Sequence, residues 1–397
     1  MQEDPILPQE LFDIIINHCG LETRRSCALV SSKFYESARL FSHIRVLPLD
    51  KDHNLNEFQR LLESSPTLAA RVTFLHISVH STGNHNWMDE SQSGEFLSLL
   101  VSLNRLCITG SFDWDELSAS FRRSIQLTLS RPTLTCLKVR HIRDLPFTLW
   151  MHSPALRSLT LEGVSFELEP QNNADAAVAV TPRTQLEHLC LWLDLIAFEI
   201  IAPRILLPES PLDISRLRFL TYATFGRSLT YGGDKFEDSV LIQGLLHASA
   251  SSLQSFHLRN CEEFPATGML NLAELTDLQK LSLQIWLDVA PTRDLRLLSL
   301  GHLAFSPRQQ ALHLFFDLHT RHSCSSVAQL LSSADGALAV LPFVASVTIT
   351  MFPWNTDLVQ QTLIDMSGVV ADAMPLLVNR LGREKLLALQ SPRVPNT

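Results

Sequence analysis

Histidine, cysteine and aspartate are the side chains from which a metal or catalytic centre would be built, and this sequence spaces them poorly for either. His76 and His80, with His85 nearby, form one grouping, and His319, His322 and Cys324 form another. On a strand, His76 and His80 would point to the same side but lie about 13 Å apart, too far for one ion. His319-x-x-His322-x-Cys324 lacks a fourth ligand. Asp113 and Asp115 flank Trp114, and a solvated helix start accounts for them. No GxSxG, phosphate-binding loop or HExxH run occurs. The expectation is therefore no catalytic residue, no metal and no cofactor. A hydrolase whose Ser, His and Asp converge from distant segments is kept as a third reading.

The elements that would position any site come from a recurring pattern, apolar-x-x-apolar-x-apolar. It reads Val72-Leu75-Ile77, Leu103-Leu106-Ile108, Leu134-Leu137-Val139, Leu156-Leu159-Leu161 and Leu186-Leu189-Leu191. It continues as Leu217-Leu220-Tyr222, Leu253-Phe256-Leu258, Leu278-Leu281-Leu283, Ala311-Leu314-Phe316 and Val344-Val347-Ile349. Leu295-Leu298-Leu300 also fits and competes with the Ala311 unit. The mean interval, about 30 residues, suits a repeating strand-plus-helix unit close to the leucine-rich-repeat range. Helical periodicity at Asn56–Ser64, Ser93–Val101, Asp113–Leu129 and Phe236–Ala248 fills the gaps. Residues 174–184 show no pattern and read as a loop.

Within each motif the apolar positions should face the helices, and the residues between them should face outward. That open face would carry Arg105, Lys138, Arg140, His188, Trp192, His257, Arg259 and Lys280, the candidate substrate-binding residues. Five of these are Arg or Lys in a chain of net charge −9. An ordinary solvated face is one account of them. The other is a groove for an acidic or phosphorylated segment, gripped by Arg and anchored at Trp192.

Composition removes several classes. A chain of 397 residues with 46% hydrophobic and 18% charged residues is too apolar for disorder and long enough for a large core. Fourteen glycines and no Gly-rich turn argue against a dinucleotide-binding fold. The net negative charge argues against nucleic acid, and no run of about 18 apolar residues predicts a membrane span. The acidic start lacks the features of a signal peptide, so a cytoplasmic or nuclear location is expected. Seven scattered cysteines with no CxxC pair fit buried thiols.

The two ends read differently from the middle. Residues 5–48 read as short helices: Pro8 starts one, Leu7, Leu11, Ile14 and Ile15 share a face, and Gly20 ends it. Cys27 and Val30 share a face of the second, and Phe34, Ala38 and Phe41 a face of the third. A unit this small either packs that apolar surface on the first repeat or leaves part of it to a partner. Residues 49–354 hold the repeats, 355–390 read as capping helices, and 391–397 as a disordered tail.

Residues 6–47 resemble an F-box, particularly those of the F-box-like proteins abundant in basidiomycete fungi. The matching features are Leu7-Pro8, Glu10-Leu11, Ile14-Ile15-Ile16, Cys27-Ala28-Leu29-Val30-Ser31, Phe34 and the closing Phe41-x-x-Ile44-Arg45-Val46. The family usually has Trp where Phe34 stands. Degenerate leucine-rich repeats are the usual companion of this unit. The resemblance implies an α/β chain, with a short all-helical F-box-like unit before an irregular leucine-rich-repeat-like solenoid with a parallel sheet. It implies a non-catalytic substrate receptor of a cullin-type ubiquitin ligase. Leu7, Pro8, Leu11, Ile15, Leu29, Val30 and Phe34 would dock on the Skp-type adaptor, and the repeats would hold an unknown protein substrate. Residues 22–45 carry five basic against two acidic side chains, which would favour encounter with an acidic adaptor. The alternative is a repeat-based interaction scaffold with no ubiquitin-ligase role.

Overall fold

The computed structural model describes residues 53–79, 94–167, 183–224, 237–259, 271–287, 312–320, 341–353, 372–382 and 385–390. It also describes 43–46, 304–305 and isolated positions 11, 16, 19, 23, 26, 27, 328, 331, 332, 335, 336 and 339. The chain is α/β with parallel strands, and it divides into two compact units, residues 1–137 and 138–397. Among the described residues no helix is long and apolar enough to cross a membrane.

In the first unit, strands β1 (His43–Val46), β2 (Phe74–Val79) and β3 (Arg105–Asp113) pair in parallel in that order. Parallel neighbours need a crossover between them. Helices α1 (His53–Ser64) and α2 (Pro66–Arg71) make the first crossover, and α3 (Glu95–Leu99) the second. Leu75, Ile77, Leu106 and Ile108 alternate inward and are buried against this layer with Leu62, Ala69 and Phe96. Phe58 meets Phe96 edge-on at 5.8 Å. Helix α4 (Ala119–Leu129) follows, its first turn capped by Ser118 Oγ, which accepts from the Phe121 amide at 3.2 Å.

Helix was expected throughout residues 5–48, but His43–Val46 is a strand. Ile44 and Val46 are β-branched and suit extended backbone, and pairing with β2 supplies the hydrogen bonds that a short isolated helix lacks.

The second unit opens within β4 (Cys136–Arg143). It continues through β5 (Ser158–Glu162), β6 (His188–Leu193), β7 (Phe219–Thr224) and β8 (Ser255–Arg259). Then come β9 (Lys280–Leu287), β10 (Leu312–Thr320), β11 (Val344–Pro353) and β12 (Leu386–Gln390). From β5 onward each of these strands pairs in parallel with the next one named, while Thr184–Gln185 pairs with Leu212–Asp213 and Asn271–Leu272 with Ala304–Phe305 in two separate small sheets. Helix α5 (Leu195–Leu206) packs on β6 and against α6 (Glu237–Ala248). The helices approach closely at Gly244, where a Cβ would sit 2.7 Å from Leu206 Cδ1.

Most all-parallel sheets are covered on both faces and uniformly apolar. Here buried and part-exposed residues alternate along β5 and β6. Leu159, Leu161, Leu189, Leu191 and Leu220 are essentially inaccessible, while the residues between them reach an open face. A second regularity accompanies this. In several motifs the residue after the first apolar position offers its carbonyl to two successive amides at the entry of the following strand. Arg157 O takes Glu187 N and His188 N, Glu187 O takes Arg218 N and Phe219 N, and Arg218 O takes Gln254 N and Ser255 N. Gln254 O does the same for Gln279 N and Lys280 N, and in the first unit Asn104 O does so for Thr135 N and Cys136 N. The recurring motif thus marks a recurring hydrogen-bond geometry.

The C-terminal segment corrects a second expectation. Residues 355–390 were read as helices, yet Leu386–Gln390 is β12, paired with β11. An uncovered strand edge offers unsatisfied backbone groups, and satisfying them outweighs the helix preference of Leu and Ala. Helix α7 (Pro375–Leu381) does form. Pro375 starts it, because the first turn has no use for the missing N–H. Met374 supplies no cap. Buried Asp335 supplies it from far along the chain, accepting from the Leu376 and Leu377 amides at 2.8 Å each. Arg380, in the last turn, donates to the carbonyls of Ala339, Leu341 and Val344. Burial pushes its guanidinium below the usual arginine range.

Of the expected loop at 174–184, Thr184 instead starts a two-residue strand, Thr184–Gln185, paired with Leu212–Asp213; residues 174–182, residues 355–371 of the expected cap, Leu295-Leu298-Leu300, the 391–397 tail and His80, His85, His322 and Cys324 lie outside the described residues.

Candidate functional site

The strand register sorts the open face of the second unit into rows. The first row runs Ser158, His188, Phe219, Ser255, Lys280, His313, Ser346. The second runs Thr160, Cys190, Thr221, His257, Ser282, Phe315, and the third begins Glu162, Trp192, Ala223, Arg259. Seven of the eight candidate substrate-binding residues belong to this unit. Arg105 is exposed at the start of β3 in the first unit.

Lys138 and Arg140 are both committed to Glu162. Arg140 Nε lies 2.6 Å and Lys138 Nζ 3.6 Å from Glu162 Oε2, and the carboxylate side chain is only 12% exposed. The Arg140 Nε–H is not aligned on an acceptor, so that contact is ionic rather than a directed hydrogen bond. Glu162 ends β5, and Gly163 follows with φ +60°, where an L side chain would be strained. A Cβ there would also sit 2.5 Å from His141 Nδ1. The glycine lets the chain turn directly behind the ion pair.

Arg259 and Lys280 are placed differently. The Arg259 guanidinium lies 5.7 Å from the centroid of Trp192, with fully buried Ala223 between them in the row. A small residue at that position leaves the lane through which Arg259 reaches the indole. Lys280 Nζ lies 4.3 Å from the Phe315 centroid. Among the described residues neither cation has a carboxylate within ion-pair distance. His188 stacks on Phe219 at 4.3 Å. Sequence reasoning did not single out Phe219 and Phe315 as site residues, although strict alternation from Leu220 and Leu314 would have turned both outward.

His257 sits between the two cations. Its Nε2 and Ser255 Oγ are 2.9 Å apart. Burial, then Lys280, then Arg259 push its imidazole down to about 4. The unfolded chain therefore binds a proton near pH 6.5 that the folded chain refuses until about pH 4. Stability should fall as pH drops through that window. The loss is about 1–2 kcal/mol once solvent screening at this part-exposed site is allowed for. Denaturation of wild type and His257→Gln at pH 7 and pH 4.5 checks this, because the variant should lose that part of the pH dependence. Burial also lowers the His188 imidazole, with Glu187 opposing and Arg218 reinforcing. Burial pushes the Cys190 thiol up, which keeps it protonated and a poor nucleophile.

Of the candidate adaptor-binding residues, only Leu11 is described: it is helical and 43% exposed. Leu7, Pro8, Ile15, Leu29, Val30 and Phe34 lie outside the described residues. No group of three or more His, Cys, Asp or Glu among the described residues is placed to hold a metal. Compared with family models and with curated proteins, the chain matches none.

Proposed function

We propose that the chain is a non-catalytic substrate receptor of a cullin-type ubiquitin ligase, acting in the cytoplasm or nucleus. In this reading residues 5–48 are an F-box-like unit that docks on a Skp-type adaptor. The strands behind it are an irregular leucine-rich-repeat-like solenoid that holds a protein substrate. The observation that carries the reading is the one-sided parallel ladder. Apolar residues at a recurring spacing fill one face, while the other presents Trp192, His257, Arg259 and Lys280. A face of cations and aromatic side chains suits protein recognition. The burial-raised thiol of Cys190 adds no nucleophile. The F-box-like run that precedes this ladder assigns the partner at the other end.

The test is co-purification of the full chain with a Skp-type adaptor. A stoichiometric complex is the expected result. Its absence, with the chain folded, would leave the second reading, an interaction scaffold with no ubiquitin-ligase role, which the same open face serves equally well.

A further inference from the structure

We propose that the far ends of β9, β10 and β11 form a receptor site for a trimethylated lysine side chain, with Asp317 and the row Trp286, His319, Phe352 taking its ammonium group. The proposal rests on the reading of the second unit as a partner-binding platform and gives that platform a second, cationic ligand class. Strands β5 to β8 hold five or six residues, whereas β9, β10 and β11 hold eight, nine and ten. The added residues extend the sheet by two rows. Leu281 and Leu283 of β9 are buried, so the two-residue period puts Lys280, Ser282, Gln284 and Trp286 on the open face.

The register completes the patch. Gln284 pairs with Asp317, and Asp317 with Thr350. In the row beyond, Trp286 pairs with His319, and His319 with Phe352. In the row before, Phe315 stands between Ser282 and Thr348. Asp317 is thus the central position, with Phe315 and His319 two residues away on its own strand and Trp286 and Phe352 on the diagonals. Neighbouring strands lie about 4.8 Å apart and successive rows about 7 Å apart. Aromatic residues interact across diagonals of that size. Among the described positions of these three rows on β9, β10 and β11, Asp317 is the one carboxylate.

This composition selects the ligand. Aromatic faces attract cations, and quaternary ammonium groups are recognised in this way. A plain ammonium gives up hydrogen bonds to water that rings cannot replace, whereas a trimethylated one has none to give up. The face already holds one such contact, since Lys280 Nζ lies 4.3 Å from the Phe315 centroid. Arg259 is drawn the other way, over Trp192. A chain of net charge −9 also favours a cation. On a platform that binds protein, a methylated lysine supplies that group at the end of a long side chain.

Fluorescence polarisation with the full chain tests this. The probes are labelled Gly/Ser nonapeptides whose central residue is trimethyllysine, lysine, or the uncharged isostere in which tert-butyl replaces trimethylammonium. The trimethyllysine peptide should bind about tenfold more tightly than either of the others. Asp317→Asn keeps the shape without the charge, and Trp286→Leu keeps an apolar residue without the ring. Each should lose about fivefold at an unchanged melting temperature. Lys280→Gln should not weaken binding, because it removes a like charge. Equal binding of the trimethyllysine and lysine peptides, equal binding of the uncharged isostere, or full retention by both Asp317→Asn and Trp286→Leu would overturn the proposal. Free choline binding as tightly as the trimethyllysine peptide would overturn the protein source of the group. Co-purification with the adaptor does not use this site, so a failure here and a failure of the receptor reading are told apart.

Discussion

Replacing Asp335 with alanine should destabilise the second unit by about 2–4 kcal/mol. Helix α7 begins at Pro375, which has no N–H, and Met374 before it provides no side-chain cap. The next two amides, Leu376 and Leu377, both donate to the Asp335 carboxylate. The carboxylate is 3% exposed and the Leu377 side chain is fully buried, so water cannot easily take over. Alanine would leave two donors at the positive end of the helix without a partner. Asp335→Asn keeps one acceptor and loses the charge, so it should cost roughly half as much. Chemical denaturation of the three proteins measures the series. Equal stability of wild type and Asp335→Ala would mean that the helix start finds other partners at no cost.

The second large effect is expected at the other end of the chain. Changing Leu7-Pro8 to Ala-Ala, or Phe34 to Asp, should weaken binding to a Skp-type adaptor tenfold to thousandfold. Loss of a buried interface anchor costs about 2–4 kcal/mol, and an aspartate at an apolar contact adds the cost of desolvating a charge. The repeats should remain folded, because both variants retain Leu159, Leu189, Leu220 and the other residues that fill the ladder's inner face. Calorimetric titration with purified adaptor, alongside thermal melting, separates the two effects. Undiminished affinity in both variants would remove the F-box reading and leave the scaffold.

The strands from Phe74 to Val347 were legible in the sequence because their signal is local. An apolar residue at every second position marks a face buried on one side only, and in all ten motifs of the series from Val72 to Ile349 the second and third apolar positions fall in strands. Which residues face outward followed from the same alternation, and all eight residues read as outward-facing candidates are at least part-exposed. How they would be used was not legible. Glu162 neutralises Lys138 and Arg140 because neighbouring strands bring them together from more than twenty residues away in the chain. Arg259 reaches Trp192 only because Ala223, from a third strand, leaves the space between them. The strands at His43–Val46 and Leu386–Gln390 were misread as helix for a related reason. Each is a short segment at the end of a ladder, where no internal period is long enough to register. What decides its conformation is a neighbour's unpaired edge, β2 in one case and β11 in the other. The sequence by itself determined the period and the inward face, because burial is written into residue type. The tertiary structure alone decided which charges are neutralised and which stay available, because ion pairs and ring contacts depend on strand register across the sheet.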